Sequence, residues 1–240
     1  MGCGRGGGVI ESAVGPLSSG CTATVVPSRS RRIAVTAAHC VYVPEAAPWR
    51  ALTPDLPTGW RTEGLEFWPG RVGDTVPFEV WAVEQAFVDQ GWLAEGEVTL
   101  DFAFLVIAPR DGVMGQDVVG AEGIFFNHEL TRPAVTVIGY PGLGRFDGRS
   151  QRVCSSNAAD RIPDTLYYAT AGRDQLAINC QMTRGASGGP WLADYDPATG
   201  LGYVIGVTAS GNSASSFLTG VPLREEARLL WEQVDHAGSA

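Results

Sequence analysis

Three histidines could supply acid–base chemistry, and one of them has surroundings suited to it. His39 follows a short apolar run and two alanines, and it precedes Cys40, which could tether the turn. Small neighbours leave room for an imidazole that must meet other groups as a general base. His128 lies in a loop-like stretch and His236 at the end of a helical pattern, so both are more simply surface or half-buried groups.

Ser187 is the strongest candidate nucleophile because glycines surround it. It lies in the segment Arg184-Gly185-Ala186-Ser187-Gly188-Gly189-Pro190. Glycines let the backbone approach a substrate closely and turn N–H groups toward one point. The serine hydroxyl is inert unless a base removes its proton. Taken alone, the segment fits a glycine-rich turn between strands equally well.

Asp101 is the candidate acid because it opens the continuous apolar run 102–107. An acid in this place is drawn toward the interior, where an unpaired carboxylate is costly. A histidine N–H is a suitable partner for it. A carboxylate in an ordinary turn before a strand is a comparable interpretation of Asp101 alone.

The segment around Ser187 also matches the G-x-S-x-G nucleophile elbow of α/β-hydrolases. That elbow needs a helix directly after the serine, yet Pro190 begins a strand-like run. It also needs an acid and then a histidine further along the chain, and only His236 follows Ser187. The sequence therefore argues against this class.

The elements that must position these residues are short strands. The 240 residues include 31 Gly and 15 Pro, an excess typical of many turns. One series of β-rich runs precedes residue 108 and a second follows residue 133 (22–26, 32–36, 78–83, 102–107, 134–138, 166–169 and 203–208). One helix is predicted from Pro222 onward, and residues 43–60 are predicted to form a long surface loop.

The charge balance limits the partners of the chain. Lys and Arg total 17 and Asp and Glu total 26, which gives a net charge of −9 and a pI near 4.8. Such a surface repels a phosphate backbone, and no apolar run approaches the roughly 20 residues of a membrane helix. We expect no nucleic-acid binding and no membrane insertion. Residues 1–8 lack the apolar region of a signal peptide, so we expect a flexible N-terminal segment from which any leader is already removed.

Taken together, these motifs resemble the signatures of the chymotrypsin-like (trypsin-like) serine proteases. The matching segments are Thr36-Ala37-Ala38-His39-Cys40, Asp101 with the strand after it, and Gly185-Ala186-Ser187-Gly188-Gly189-Pro190, in the family's order of His, Asp and Ser. Cys21 stands one strand before Cys40, as in the family. Ile138-Gly139-Tyr140-Pro141-Gly142 resembles a turn of the bacterial branch with glutamyl-endopeptidase-like members.

The resemblance implies an all-β fold of two six-stranded antiparallel β-barrels with a C-terminal α-helix. The expected organisation is a flexible segment 1–19, a first barrel 20–125, a second barrel 126–221, and a helix and tail 222–240. His39 and Asp101 would come from the first barrel and Ser187 from the second. Disulfides are expected between Cys21 and Cys40 and between Cys154 and Cys180, with Cys3 free and secretion as the corollary.

The implied function is that of a serine endopeptidase acting on proteins or peptides as a monomer, with no metal or other cofactor. Ser187, His39 and Asp101 would form the triad, and the N–H groups of Gly185 and Ser187 the oxyanion hole. The alternative is an inactive protease-like fold that serves as a protein-binding module. The resemblance also places substrate-binding residues along one strand edge and around the primary pocket: Gln181, Arg184, Thr208, Ala209, Ser210 and Gly211.

Two features depart from well-known members of the family. The pocket lacks an aspartate at Gln181 and a histidine at Thr208, so neither trypsin-like nor glutamyl specificity is indicated. Ala186 stands where an aspartate otherwise pairs with a newly released N-terminal amine. We therefore expect activity to be independent of any particular N-terminus, with the loop around Gly185 held by other contacts.

Overall fold

The computed structural model describes residues 6–11, 20–45, 47, 50, 57–129, 131–161, 175–212 and 217–238. Cys3 and the strand expected at 166–169 lie outside these residues. Most of the regular secondary structure is β-strand, arranged in a closed barrel, an eight-stranded sheet and a two-stranded sheet, with one long C-terminal helix. This confirms the predicted fold class.

The first unit is a closed six-stranded barrel, in the strand order β1-β2-β3-β8-β7-β6. All residues of β3 and β8 are buried, as expected for continuous apolar runs in a barrel wall. A separate two-stranded antiparallel sheet of β4 and β5 pairs the two ends of the region 43–60 that was expected to be a loop. The strands up to the first helix are β1 (Gly7–Glu11), β2 (Cys21–Val25), β3 (Ile33–Thr36), β4 (Tyr42–Val43), β5 (Gly59–Trp60), β6 (Glu66–Pro69) and β7 (Trp81–Val88), and β8 (Ala103–Ile107) completes the barrel.

Gly7 and Gly8, the end of the N-terminal glycine run, open the barrel strand β1, so the expectation of a flexible segment over 1–19 is wrong for residues 7–11. β1 pairs with β2 on one side and with β6 on the other. A Cβ at Gly8 would lie 2.6 Å from the Cα of Pro69 and 2.6 Å from the carbonyl oxygen of Trp68. Glycine is therefore needed here because neighbouring backbone approaches too closely for any side chain.

The second unit is an eight-stranded sheet that curls into a half-barrel, in the order β11-β10-β14-β15-β16-β13-β12 with β9 beside β15. β9 follows the first barrel directly but pairs with β15, so the boundary between the units falls before Gly123 rather than after residue 125. The strands are β9 (Gly123–Ile124), β10 (Val135–Gly139), β11 (Arg152–Ser156), β12 (Asp160–Arg161), β13 (Leu176–Asn179), β14 (Pro190–Asp196), β15 (Leu201–Asn212) and β16 (Phe217–Pro222).

Three α-helices are described: α1 (Gln90–Glu95), α2 (Gly115–Val119) and α3 (Glu225–Ala237). α3 is the predicted C-terminal helix, and it buries Ala227, Leu230 and Val234. The two short helices were not predicted, because one or two turns leave too little periodicity to detect. None of the helices among the described residues combines the length and apolarity required to cross a membrane.

One apolar core joins the two units and α3. It combines residues of β3 and β8 with residues of β10, β14, β15 and β16, and α3 packs on it. Asp235, on the last turn of α3, accepts a hydrogen bond of 2.7 Å from the backbone N–H of Arg29 and so ties the helix to the first barrel. The shared core therefore fixes the position of one sheet against the other.

Candidate active site

His39 lies in a single turn of 3-10 helix, Ala38–Cys40, directly after β3. Ala37 and Ala38 are fully buried and pack into the barrel core, which leaves the imidazole partly exposed. Cys40 forms a disulfide with Cys21 at the start of β2, so the turn is covalently attached to the neighbouring strand. The second disulfide joins Cys154 to Cys180, and both pairings are as expected.

Asp101 reaches the same end of the barrel from β8. The antiparallel pairing of β3 with β8 sets Thr36 opposite Ala103, so the end of one strand meets the beginning of the other. Oδ2 of Asp101 lies 2.7 Å from Nδ1 of His39, and Oδ1 accepts the backbone N–H of His39 at 2.9 Å.

The carboxylate thereby holds both the backbone and the ring of His39. Asp101 is only 6% exposed, so it is a buried acid whose two oxygens are both satisfied. A carboxylate facing Nδ1 favours the tautomer with its proton on that atom, which leaves Nε2 free to accept another proton.

Ser187 lies on the loop between β13 and β14, and this loop is anchored on the first barrel. Its carbonyl oxygen accepts a hydrogen bond of 2.7 Å from the N–H of Thr22, the residue after Cys21. The next residue, Gly188, has φ of +79°, and a Cβ there would lie 2.1 Å from Oγ1 of Thr36. The loop that carries Ser187 is thus packed against the strand end that leads into His39.

Two backbone N–H groups of this loop are available to a ligand. Neither Gly185 nor Ser187 donates its N–H to any residue that the structure describes. Gly185 has φ of +99°, and a Cβ there would lie 2.4 Å from the carbonyl oxygen of Tyr140. Only glycine fits this position, in keeping with a close turn that presents N–H groups outward.

Comparison with known proteins gives the fold family. No family model and no curated protein matches the chain. Many solved structures match it, and three of them cover nearly its whole length. A thermostable serine protease, AL20, from an extremophilic microorganism is 22% identical with a TM-score of 0.82, covering 97% of this chain and 98% of that one.

The protease Anisep from Arthrobacter nicotinovorans is 25% identical with a TM-score of 0.80, covering 98% of this chain and 96% of that one. A Glu endopeptidase is 19% identical with a TM-score of 0.70, covering 99% of this chain and 92% of that one. This chain has the fold of the chymotrypsin-like serine proteases. Its neighbours support a proteolytic function.

The residues expected to bind substrate differ from one another in exposure and in hydrogen-bond partners. Thr208 is 2% exposed, and its Oγ1 accepts the indole N–H of Trp191 at 3.1 Å, so its side chain packs inside the second unit. Ala209, Ser210 and Gly211 continue β15, and Ser210 bonds to Thr219 on β16. Gln181 and Arg184 are exposed, and Arg145 donates to Oε1 of Gln181.

A cluster of possible metal ligands lies beside the site but does not suit a metal. One ligand atom each of Cys21, His39 and Cys40 lies within 4.8 Å of the others. Because the two sulfurs are bonded to each other, neither is the thiolate that a metal requires.

The structure also reveals one contributor that the sequence did not suggest. Thr22 is fully buried, and its hydroxyl and its N–H both bond to the loop of Ser187. In the sequence, Thr22 is one of two threonines in the β-rich run 22–26. Only its position directly after the disulfide-forming Cys21 sets it apart.

Proposed function

We propose that this protein is a serine endopeptidase that cleaves peptide bonds through Ser187, His39 and Asp101. The observation that carries the proposal is the buried carboxylate of Asp101 held 2.7 Å from Nδ1 of His39, beside a strand end on which the loop of Ser187 is anchored. A histidine oriented by a buried acid has the arrangement needed to activate a nearby serine.

In the proposed first half-reaction, Oγ of Ser187 attacks the carbonyl carbon of the scissile peptide. Nε2 of His39 takes the hydroxyl proton as the new C–O bond forms, and Asp101 stabilises the imidazolium. The oxyanion is bound by the N–H groups of Gly185 and Ser187, each contributing about 3–4 kcal/mol to the transition state. The C–N bond then breaks, and His39 returns the proton to the leaving amine.

In the second half-reaction, a water molecule attacks the acyl-enzyme. His39 accepts a proton from this water, and the same two N–H groups bind the second oxyanion. Collapse of the intermediate breaks the bond between the acyl carbon and Oγ of Ser187, releases the carboxylic acid, and returns the proton from His39 to Oγ. Besides the substrate and this water, the proposed steps use only the chain's own side chains and backbone.

The setting of the reaction forms part of the proposal. Two disulfides suit an oxidising compartment, so we propose that the protein acts outside the cell. Its substrates would be proteins or peptides, and the active enzyme would be a monomer.

Labelling with a fluorophosphonate probe tests the proposal, because the probe reacts with an activated serine but not with an ordinary one. We expect the folded protein to be labelled at Ser187, and the variants Ser187→Ala and His39→Ala to resist labelling. The urea-unfolded protein is the matched control for nonspecific reaction. If the folded wild type resists the probe, the protein is instead a protease-like binding module.

A further inference from the structure

The loop that carries Ser187 has no ion pair to hold it at the residue before the nucleophile. Ala186 stands there, 1% exposed and packed among the apolar residues of the second unit, including Met182 and Cys180. An alanine contributes neither charge nor a side-chain hydrogen bond. Something else must fix the direction of the two N–H groups that would form the oxyanion hole.

Part of the answer lies in two carbonyl groups. In a trans peptide the N–H of one residue points opposite to the C=O of the residue before it. The carbonyl of Arg184 accepts the N–H of Gly142 at 2.6 Å, which directs the N–H of Gly185. The carbonyl of Ala186 accepts the N–H of Gly189 at 2.9 Å, which directs the N–H of Ser187.

Thr22 joins these contacts from the other unit. Its Oγ1 donates to the carbonyl of Gly185 at 2.8 Å and accepts the N–H of Tyr140 at 3.0 Å. Its backbone N–H donates to the carbonyl of Ser187 at 2.7 Å, and its own carbonyl accepts Oγ1 of Thr36 at 2.7 Å. Thr22 is fully buried, so water does not substitute for its hydroxyl.

The hydroxyl of Thr22 therefore bridges two backbone groups that lie on either side of the loop. Tyr140 begins the turn that contains Gly142, and Gly142 holds the carbonyl of Arg184. Without the hydroxyl, the carbonyl of Gly185 and the N–H of Tyr140 would be left buried without this partner. Buried backbone groups that lose a partner favour a rearranged backbone.

We propose that Thr22 is a positioning residue for the oxyanion hole, acting from the first barrel through its side-chain hydroxyl. This inference rests on the proposed protease function and adds to it the group that takes the place of an ion pair at Ala186. Thr22 does not touch the substrate. Its hydroxyl fixes the peptide that follows Gly185 by holding the carbonyl of that residue, and through the N–H of Tyr140 it supports the turn whose Gly142 holds the carbonyl of Arg184 and so directs the N–H of Gly185.

The test compares Thr22→Val, which keeps the shape but removes the hydroxyl, with Thr22→Ser, which keeps the hydroxyl. Thr24→Val is the matched control. Thr24 lies two residues further along β2 and is also fully buried, but its hydroxyl has no hydrogen-bond partner among the described residues. Steady-state kinetics on a peptide substrate gives kcat and KM separately, and thermal unfolding reports stability.

We expect Thr22→Val to lower kcat by about 10- to 100-fold, less than the loss of a whole donor, with KM changed much less. Binding of a peptide boronate, whose tetrahedral adduct uses the oxyanion hole, should weaken in parallel. Thr22→Ser should restore most of kcat, and Thr24→Val should leave it within about twofold. Equal kcat in Thr22→Val and Thr24→Val would overturn the proposal.

Hydrogen exchange separates this inference from the proposed function. The backbone amides of the segment 183–189 should exchange faster in Thr22→Val than in the wild type, Thr22→Ser or Thr24→Val, whether or not the protein is active. If the wild type resists the fluorophosphonate probe but this difference appears, the protease proposal fails and the positioning role stands. If exchange is the same in all four proteins, the positioning role is wrong.

Discussion

Replacing Gly188 by alanine would place a methyl group between the two units, at the point where the loop of Ser187 meets the first barrel. Gly188 has φ of +79°, and its N–H donates to the carbonyl of Thr208 at 2.7 Å. The added Cβ would lie 2.1 Å from Oγ1 of Thr36 and 2.3 Å from the carbonyl oxygen of Thr22. An ordinary contact begins near 3.4 Å, so the carbonyl of Thr22 would have to recede by about 1 Å.

The magnitude follows from two separate costs. A residue with a Cβ in this left-handed conformation costs about 1–2 kcal/mol. Overpacking against a close backbone costs about 1–3 kcal/mol more. We therefore expect Gly188→Ala to lower the free energy of unfolding by about 2–5 kcal/mol. A shift of about 1 Å between Ser187 and His39 should lower kcat by about 100-fold or more.

Gly144→Ala is the matched control, because Gly144 has φ of +70° but nothing within 4 Å of its added Cβ. It should show the conformational cost alone, with kcat unchanged. Urea unfolding measures both stabilities, and active-site titration followed by steady-state kinetics measures kcat per functional site. If Gly188→Ala matched Gly144→Ala in both stability and kcat, the close packing of this loop on the first barrel would be refuted.

Three further predictions concern the triad, a buried acid and the N-terminus. Asp101→Asn should lower kcat by about 10⁴-fold, because an amide N–H facing Nδ1 of His39 moves the ring proton to the nitrogen that must accept one; stopped-flow acylation measures this. Burial raises the pKa of Glu122 from 4.5 to about 7, and that side chain is 1% exposed with the N–H of Gly202 as donor at 2.8 Å. The folded state therefore keeps a proton that the unfolded state loses, so wild-type stability should fall by up to about 3 kcal/mol from pH 4.5 to 7 relative to Glu122→Gln, as measured by urea unfolding. Finally, chains extended by a short tag or trimmed at any point before Gly7 should all contain the same fraction of active enzyme, as measured by active-site titration, because Ala186 offers no carboxylate to an N-terminal amine.

Each of these has a distinct contrary result. An Asp101→Asn variant with undiminished acylation would remove Asp101 from the mechanism. Parallel pH profiles of stability in wild type and Glu122→Gln would mean that Glu122 titrates alike in both states. A sharp gain in activity at one specific N-terminus would contradict the last prediction, once a propeptide added back in trans has been shown not to block the cleft.

Several parts of the site could be predicted from sequence because their signals are local. A continuous apolar run predicts a fully buried strand, and β8 is buried at all five positions. Asp101 lies two residues before that strand and His39 closely follows β3, so strand ends place both residues. The glycines around Ser187 indicate a tight loop whatever the rest of the fold, and the periodic apolar face of α3 is likewise contained in one segment.

Other parts depended on which distant segments meet, and the tertiary structure alone decided them. From the sequence alone, a run of glycines is predicted to be flexible. The need for glycine is visible only when another backbone lies within contact distance, as Trp68 and Pro69 do at Gly8. The boundary between the two units lies earlier in the chain than predicted, because β9 pairs with β15, which is far along the chain.

Thr22 illustrates the physical reason most directly. Its side chain bonds to Gly185, 163 residues away, and to Tyr140, 118 residues away. Hydrogen bonds between such distant groups leave no periodicity in the sequence, since each threonine in a strand looks alike until its partners are in place. The sequence determined which residues could do the chemistry. The packing of the two units against each other decided that Thr22 hydrogen-bonds to the loop that carries Ser187.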